Sequence, residues 1–311
     1  MNQFFKTGIR ALFAYRIMSE AVSSNCQGWF LAQIHRLAIS IFHLVPSLYS
    51  SQMPNFTPSD NQNPAPAWSS DELSTNPHVR NDKAGKVQRM FAAIAGSYDL
   101  NNRIHSFGLD QRWRKKVVRL AGDLCGKRVL DVACGTGDLA EAFAMAGPEH
   151  VEGIDFTPEM LDIARKRPEK TGSSPLTWRV GDAMDLDVPD QSVDIVSIAF
   201  GLRNVLKPEM ALAEFKRVLK PDGKVLILEF SEPTNPVIRG FNRLYTNHIM
   251  PLTASVIARD RSGAYRYLPK SVETFLSRAE IQSALQSCGF RNVRQIPMTF
   301  GVCVAYVADA G

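Results

Sequence analysis

The chain has 311 residues, 45% of them hydrophobic, enough for one substantial core, and this excludes a wholly disordered protein. Its 36 Lys and Arg against 31 Asp and Glu give a formal charge of +5, an excess too mild to point to nucleic acid. No run of about 18 apolar residues marks a membrane-spanning helix, and the five cysteines (Cys26, Cys125, Cys134, Cys288, Cys303), with no CxxC pair, argue against a zinc site or disulfide framework and suit a reducing compartment.

Residues 1–50 carry Lys6, Arg10, Arg16 and Arg36 against one acid, Glu20, with apolar residues such as Phe5, Ile9, Leu12 and Phe13 at helical spacing. Such a basic amphipathic start reads as a targeting or membrane-surface segment, or as an extension outside the native fold. Residues 51–85 have a linker's composition, with Pro54, Pro58, Pro64, Pro66 and Pro77 among Ser, Asn, Gln and Asp. Such a stretch buries too little apolar surface to offset its ordering entropy, so the folded domain is expected over 86–311.

From there strand and helix patterns alternate. Strands are expected at 128–133, 151–154, 178–180, 193–200, 224–230, 293–298 and 302–307. Helices are expected at 139–145, 160–167, 210–219 and 279–288, the third stopped by Pro221 and Gly223 and the last by Gly289. Alternation of this kind implies βαβ crossovers and a mostly parallel sheet covered on both faces.

Four segments follow strand ends, where ligands bind in open α/β sheets. The first is VLDVACGTGD (129–138), whose Gly135 and Gly137 allow a sharp turn and close ligand approach or serve the turn alone. It is not a phosphate cradle: GxxxxGK[ST] is absent, and Ala140 breaks the GxGxxG spacing. Asp138 at the following helix start either suits a cationic or zwitterionic ligand or is an ordinary first-turn acid. The second is Asp155, about 20 residues past the loop, where an acid accepts both hydroxyls of an unphosphorylated ribose. The third is Gly181-Asp182-Ala183, where Asp182 can receive an adenine amino group and the next backbone N–H can meet the ring. The fourth is FGLRNV (200–205): Arg203 and Asn204 there need either a task or a core carboxylate partner.

With these residues in view, residues 86–311 resemble the UbiE/MenG family, the C-methyltransferases that complete menaquinone and ubiquinone. The resemblance rests on VQRMFAAIAGSYDLNNRIHSFGLDQRWR (87–114), VLDVACGTGD (129–138), IDFTPEML (154–161), GDAMDL (181–186), FGLRNV (200–205), EFKRVLKPDGKVLILEFSEP (214–233) and YRYLPKSVETF (265–275). The GxG and KPDG elements are generic to class I methyltransferases; the others are far more specific. The resemblance implies a Rossmann-like, mostly parallel seven-stranded sheet with an antiparallel last strand and helices on both faces.

It also implies S-adenosyl-L-methionine as cofactor, held by Thr136, Asp155, Asp182 and Ala183 along the loop of Gly135 and Gly137. Ala199 stands where the family commonly has Ser, and Ala133 and Cys134 stand where Gly is frequent. The substrate expected is a lipid-tailed quinol, demethylmenaquinol first and the ubiquinone precursor as the alternative; another lipid or phenol stays open because fold does not set substrate.

For the chemistry, Arg203 and Asn204 are expected to stabilise a phenolate while bound water takes the proton, since a guanidinium is a poor base. Tyr98, Phe200, Tyr245 and the apolar-and-basic segment 237–275 are the candidates for substrate wall and lid. No metal and no nucleic acid is expected. A cytoplasmic, bacterial setting with peripheral contact at the inner membrane face is expected over a mitochondrial one, because the Asp155–Arg203 interval lacks the insertions of mitochondrial relatives; a homodimer is left open.

Overall fold

The computed structural model describes residues 66–69, 71–168, 172–250 and 263–311. Residues 1–50, the start of the expected linker, Cys26, and the lid positions Leu252, Val256, Ile257, Arg259 and Arg261 lie outside them.

Two helices come first, α1 (Lys83–His105) and α2 (Leu109–Ala121). Then follow β1 (Arg128–Val132), α3 (Asp138–Ala144), β2 (His150–Asp155), α4 (Pro158–Arg165), β3 (Leu176–Val180), β4 (Val193–Ala199), α5 (Pro208–Val218) and β5 (Leu219–Phe230). The chain closes with α6 (Pro236–Leu244), α7 (Ala264–Glu273), α8 (Arg278–Ser287), β6 (Arg291–Met298) and β7 (Cys303–Asp309). The sheet order is β3-β2-β1-β4-β5-β7-β6, with β1 to β5 paired in parallel and only β7 antiparallel to its neighbours, as the resemblance implies.

The apolar runs are strands because both faces of a parallel sheet are covered. Successive residues feed opposite cores: Leu130, Ile154, Val196 and Ile227 pack with Leu212 and Phe215 of α5 and Leu285 of α8 on one face. Val129, Val151, Ile195 and Leu226 pack with Val117 of α2 and Phe143 of α3 on the other. Fully burying each such side chain contributes about 1.5–3 kcal/mol.

Two expectations are corrected. Strand β5 begins at Leu219, not 224, because Leu219 already pairs with Val193 before a register shift carries the chain through Pro221 and Gly223. The fold also begins before residue 86. Trp68 is fully buried, with Val87, Met90, Ile94 and Tyr267, in a third apolar cluster, and Lys83 opens α1. A Pro- and Ser-rich segment orders here because one tryptophan removes enough apolar area from water.

Gly137 serves packing. Its φ is +93°, and a Cβ there would stand 2.4 Å from the indole of Trp178, which is equally close to any Cβ on its strand partner Gly153. The rigid ring is held between two glycines and cannot yield. Gly137→Ala should therefore lose about 2–4 kcal/mol from left-handed strain and overpacking together. Urea denaturation checks this, and an unchanged midpoint would contradict it.

Candidate active site

Two adjoining clefts open beyond the carboxyl ends of the strands. The first lies beside Gly135, Asp155, Asp182 and Ala199. The second, the larger of the two, lies between α1, α2, the end of β5 and α7. They meet at Phe91, Tyr98 and Phe200, which line both.

Asp155 ends β2 and is buried, yet its carboxylate reaches the first cleft. It accepts the backbone N–H of Gly135 at 2.7 Å and of Thr157 at 2.8 Å, so one side chain holds both loops. Each oxygen keeps a lone pair for a ligand hydroxyl. Burial raises the Asp155 carboxyl, opposed by these N–H donors. Gly135 (φ +58°) presents bare backbone, with only Tyr98 within 4.0 Å of where a Cβ would be. Asp182 accepts the N–H of Met184 and, like the buried Ala183, lines the cleft.

Among the described residues no Lys, Arg or His lines this cleft. Two carboxylates without a cation oppose a pyrophosphate and suit a phosphate-free nucleoside carrying a sulfonium. The residues thus fit S-adenosylmethionine.

Thr136 and Asp138 are held by side chains of other elements. Thr136 is buried, donates to Asp99 at 2.6 Å and accepts from Arg167; it is not among the residues lining either cleft. Asp138 accepts from Arg103, Gln111 and Arg167. Burial pushes the Asp138 carboxyl up, but the Arg103 hydrogen bonds and the charges of Arg114, Arg103 and Arg167 outweigh it and hold it below the carboxylate range. This acid therefore ties α1 and α2 to the loop. Gly137, as shown above, makes room for Trp178.

The FGLRNV segment forms the wall between the clefts. Phe200 has φ +57°, a conformation that costs a non-glycine residue about 1–2 kcal/mol. Gly201 must follow, since a Cβ there would stand 2.7 Å from that of Ala133. The strained turn aims the Phe200 carbonyl at two donors, Arg203 Nη1 (2.6 Å) and Asn204 Nδ2 (3.1 Å). Arg203, itself buried, also pairs with Glu229 at 2.7 Å. The carboxylate-partner reading of Arg203 is therefore right as far as it goes, yet the guanidinium lines the second cleft and its Nε–H has no protein partner. Asn204 lines the first cleft and accepts the Tyr267 hydroxyl at 3.1 Å.

Tyr245 lines the second cleft and donates to the His105 carbonyl. Burial pushes the hydroxyls of Tyr98, Tyr245 and Tyr267 up, so all three stay protonated.

Residues left unassigned at the sequence level include Glu229, the acid inside the apolar run VLILEF, which was itself a visible signal. Asp131 is the same kind of signal in VLDVA: it accepts the Ser197 hydroxyl at 2.6 Å, and burial pushes its carboxyl up to about 7. His105 lines the second cleft, its imidazole pushed down to about 4 by burial, hence neutral near pH 7.

Replacing Asp155 by Asn exchanges a full charge for a weaker acceptor. Calorimetry with S-adenosylhomocysteine should find affinity reduced about 10- to 100-fold, the 1.5–3 kcal/mol of a charge-assisted bond. In the wild type, affinity should fall on acidification with a midpoint above the usual aspartate value near 4, because protonation removes an acceptor. Unchanged affinity in the variant would contradict the assignment.

A family model described as the ubiE/COQ5 methyltransferase family matches residues 79–309. A ubiquinone/menaquinone biosynthesis C-methyltransferase, UbiE, of Citrifermentans bemidjiense is 40% identical over 233 residues, covering 74% of this chain and 98% of that protein. A demethylmenaquinone methyltransferase of Thermus thermophilus is 42% identical over 221 residues, covering 71% and 99%. Among solved structures, an S-adenosylmethionine-dependent methyltransferase of Thermotoga maritima shares the fold, with a TM-score of 0.51 at 17% identity over 72% of this chain and all of that one. An acid-lined nucleoside cleft, a ring-sized cleft beside it and a match over nearly the whole described chain lead to one assignment: the chain is a member of the ubiE/COQ5 methyltransferase family.

Proposed function

We propose that the chain methylates a ring carbon of a polyprenylated quinol, demethylmenaquinol to menaquinol foremost, with S-adenosylmethionine as donor. One observation carries this reading: a buried guanidinium, paired with Glu229, lines the larger cleft and holds the carbonyl of Phe200, a residue that lines both clefts. The names of the relatives support the quinone substrate class.

Bound in the first cleft, S-adenosylmethionine supplies an electrophilic methyl group. The protein's part is to make the acceptor carbon nucleophilic and to keep water from the methyl. Asp155 binds the ribose hydroxyls, and Asp182 with the Ala183 N–H meets the adenine. In the second cleft, Met90, Ile94, Trp113 and Phe230 offer an apolar wall for a naphthoquinol ring, with Phe230 stacked on Phe200 at 4.4 Å. A phenolic oxygen against Arg203 lies beside a buried positive charge, which acts more strongly there than in water. That charge makes the ring easier to ionise, pushing charge onto the ortho carbon. The proton passes to water in the cleft.

A lipid tail implies delivery from a bilayer. Among the described residues no helix is long and apolar enough to span one, so the contact is peripheral. Phe107, exposed and packed on Tyr245 at 5.6 Å, and the exposed Leu244, between the cleft-lining Arg243 and Tyr245, suit the membrane side of the second cleft.

Removing Arg203 alone would strand Glu229, so the test pairs Arg203→Met with Glu229→Gln. The pair should lose about 100-fold or more in kcat, the cost of one preorganised donor, while S-adenosylhomocysteine affinity stays within threefold; turnover kept near wild type would remove Arg203 from the chemistry. Flotation with phosphatidylglycerol vesicles should show binding that weakens with salt and with Phe107→Ser. Absence of flotation at low salt would contradict the membrane contact.

A further inference from the structure

The segment ahead of α1 touches the site through one aromatic pair. Trp68 has no exposed surface and stacks on Tyr267 of α7, ring centroids 4.8 Å apart and planes at 20°. Lys86 of α1 donates to the Ala67 carbonyl at 3.1 Å and lies over the indole at 5.5 Å. Lys86 also pairs with Glu72 at 2.8 Å, so residues 67–69 and 71–72 are tied to α1 by charge as well as burial. Gly263, just ahead of α7, has φ +86°, and a Cβ there would stand 2.7 Å from the Trp68 carbonyl. One helical turn past Tyr267, the Ser271 carbonyl meets His78 Nε2 at 2.9 Å. The segment therefore grips α7 at two points on one face.

The grip leads to the reacting ring. Tyr267 lines the second cleft, and its hydroxyl donates to Asn204 Oδ1. Asn204 in turn donates to the Phe200 carbonyl, which Arg203 also holds. A second tether ends one residue further on, where the buried Lys83 ammonium donates to the Val205 carbonyl at 2.6 Å.

We propose that residues 67–69 and 71–83 form a strap that sets the position of the quinol-side wall, with Trp68 as a positioning residue acting through Tyr267 on Asn204. Trp68 lies outside the 79–309 stretch that the family model matches, so this part of the site is contributed by the chain ahead of that stretch. A misplacement of about 1 Å at a reacting centre can cost of order 100-fold in rate, which gives a stacked indole remote from the chemistry its influence.

The proposal rests on the quinol methyltransferase reading, and the test separates the two. In the full chain, Trp68→Ala should lower kcat at least tenfold and raise the quinol KM, leaving S-adenosylhomocysteine affinity within twofold. Trp68→Phe, which keeps a stacking ring, should recover kcat to within threefold of wild type. Tyr267→Phe, which removes only the hydroxyl, should lower kcat in the same direction and covers the case in which Trp68→Ala fails to fold. Hydrogen exchange needs no substrate: Trp68→Ala should speed exchange in 264–273 and 200–205 but not in β1 or β2. Wild-type kcat and KM in Trp68→Ala, or equal loss of cofactor affinity and turnover without rescue by Phe, would overturn the strap. A wild-type chain inert toward demethylmenaquinol would instead overturn the functional reading, with the exchange result still deciding the strap.

Discussion

A guanidinium held out of water has to be answered, and Arg203 is answered only in part. Glu229 and the Phe200 carbonyl take one of its nitrogens, leaving the buried Nε–H unmatched, while the residue as a whole lines the larger cleft. Breaking a buried pair of this kind costs about 3–5 kcal/mol, so the surroundings must be built to keep it. Glu229 sits at the end of the central strand β5, completely buried. Phe200 accepts an unfavourable φ so that its carbonyl faces the cation, and Gly201 is there because no side chain fits behind that turn. The Phe230 ring, 5.4 Å from the guanidinium, adds a cation–π contact and apolar cover.

The two clefts differ in charge. Among the described residues the first has carboxylates and no basic side chain, while the second is lined by Arg114, Arg203 and Arg243 as well as Asp110, Glu232 and Glu273, with the Phe230 ring beside Arg203. A methyl donor that carries a sulfonium and leaves as a neutral thioether, and a substrate that reacts as a phenolate, have opposite charges, met by Asp155 and Asp182 on one side and Arg203 on the other. Between them stand Tyr98 and Phe200, neither of which carries charge at neutral pH. The cofactor side is preorganised chiefly by Asp155, which fastens the Gly135 loop to the start of α4 before any ligand arrives. The salt-bridge cluster of Asp99, Asp138, Arg103 and Arg167 fastens α1 to the same loop, and Gln111 of α2 joins it by donating to Asp138.

Much of this was legible in the residues. The apolar runs at 128–133, 193–200 and 224–230 identified the inner parallel strands, because a strand covered on both faces has no polar side to show. Asp155, Asp182 and the FGLRNV turn stood out because polar residues at the carboxyl ends of such strands need a reason to be there. Other features were hidden. The spacing of Gly135 and Gly137 cannot tell whether the missing Cβ makes room for a ligand or for Trp178, which comes from a different strand. Asp138 looks the same in sequence whether it faces a ligand or Arg103 and Arg167, the latter 29 residues on. Trp68 sits among prolines and serines, and only the fold brings Tyr267 to its face.

The central claim is that Arg203 ionises a phenol bound in the larger cleft, and titration of a bound naphthol reads it most directly. With S-adenosylhomocysteine present, the absorbance of a naphthol analogue of the quinol should give a pKa at least about one unit below its value in water, the equivalent of 1.36 kcal/mol. The shift should vanish when Arg203→Met is combined with Glu229→Gln. A bound naphthol that titrates as it does in water, in a protein that holds both ligands, would contradict the account.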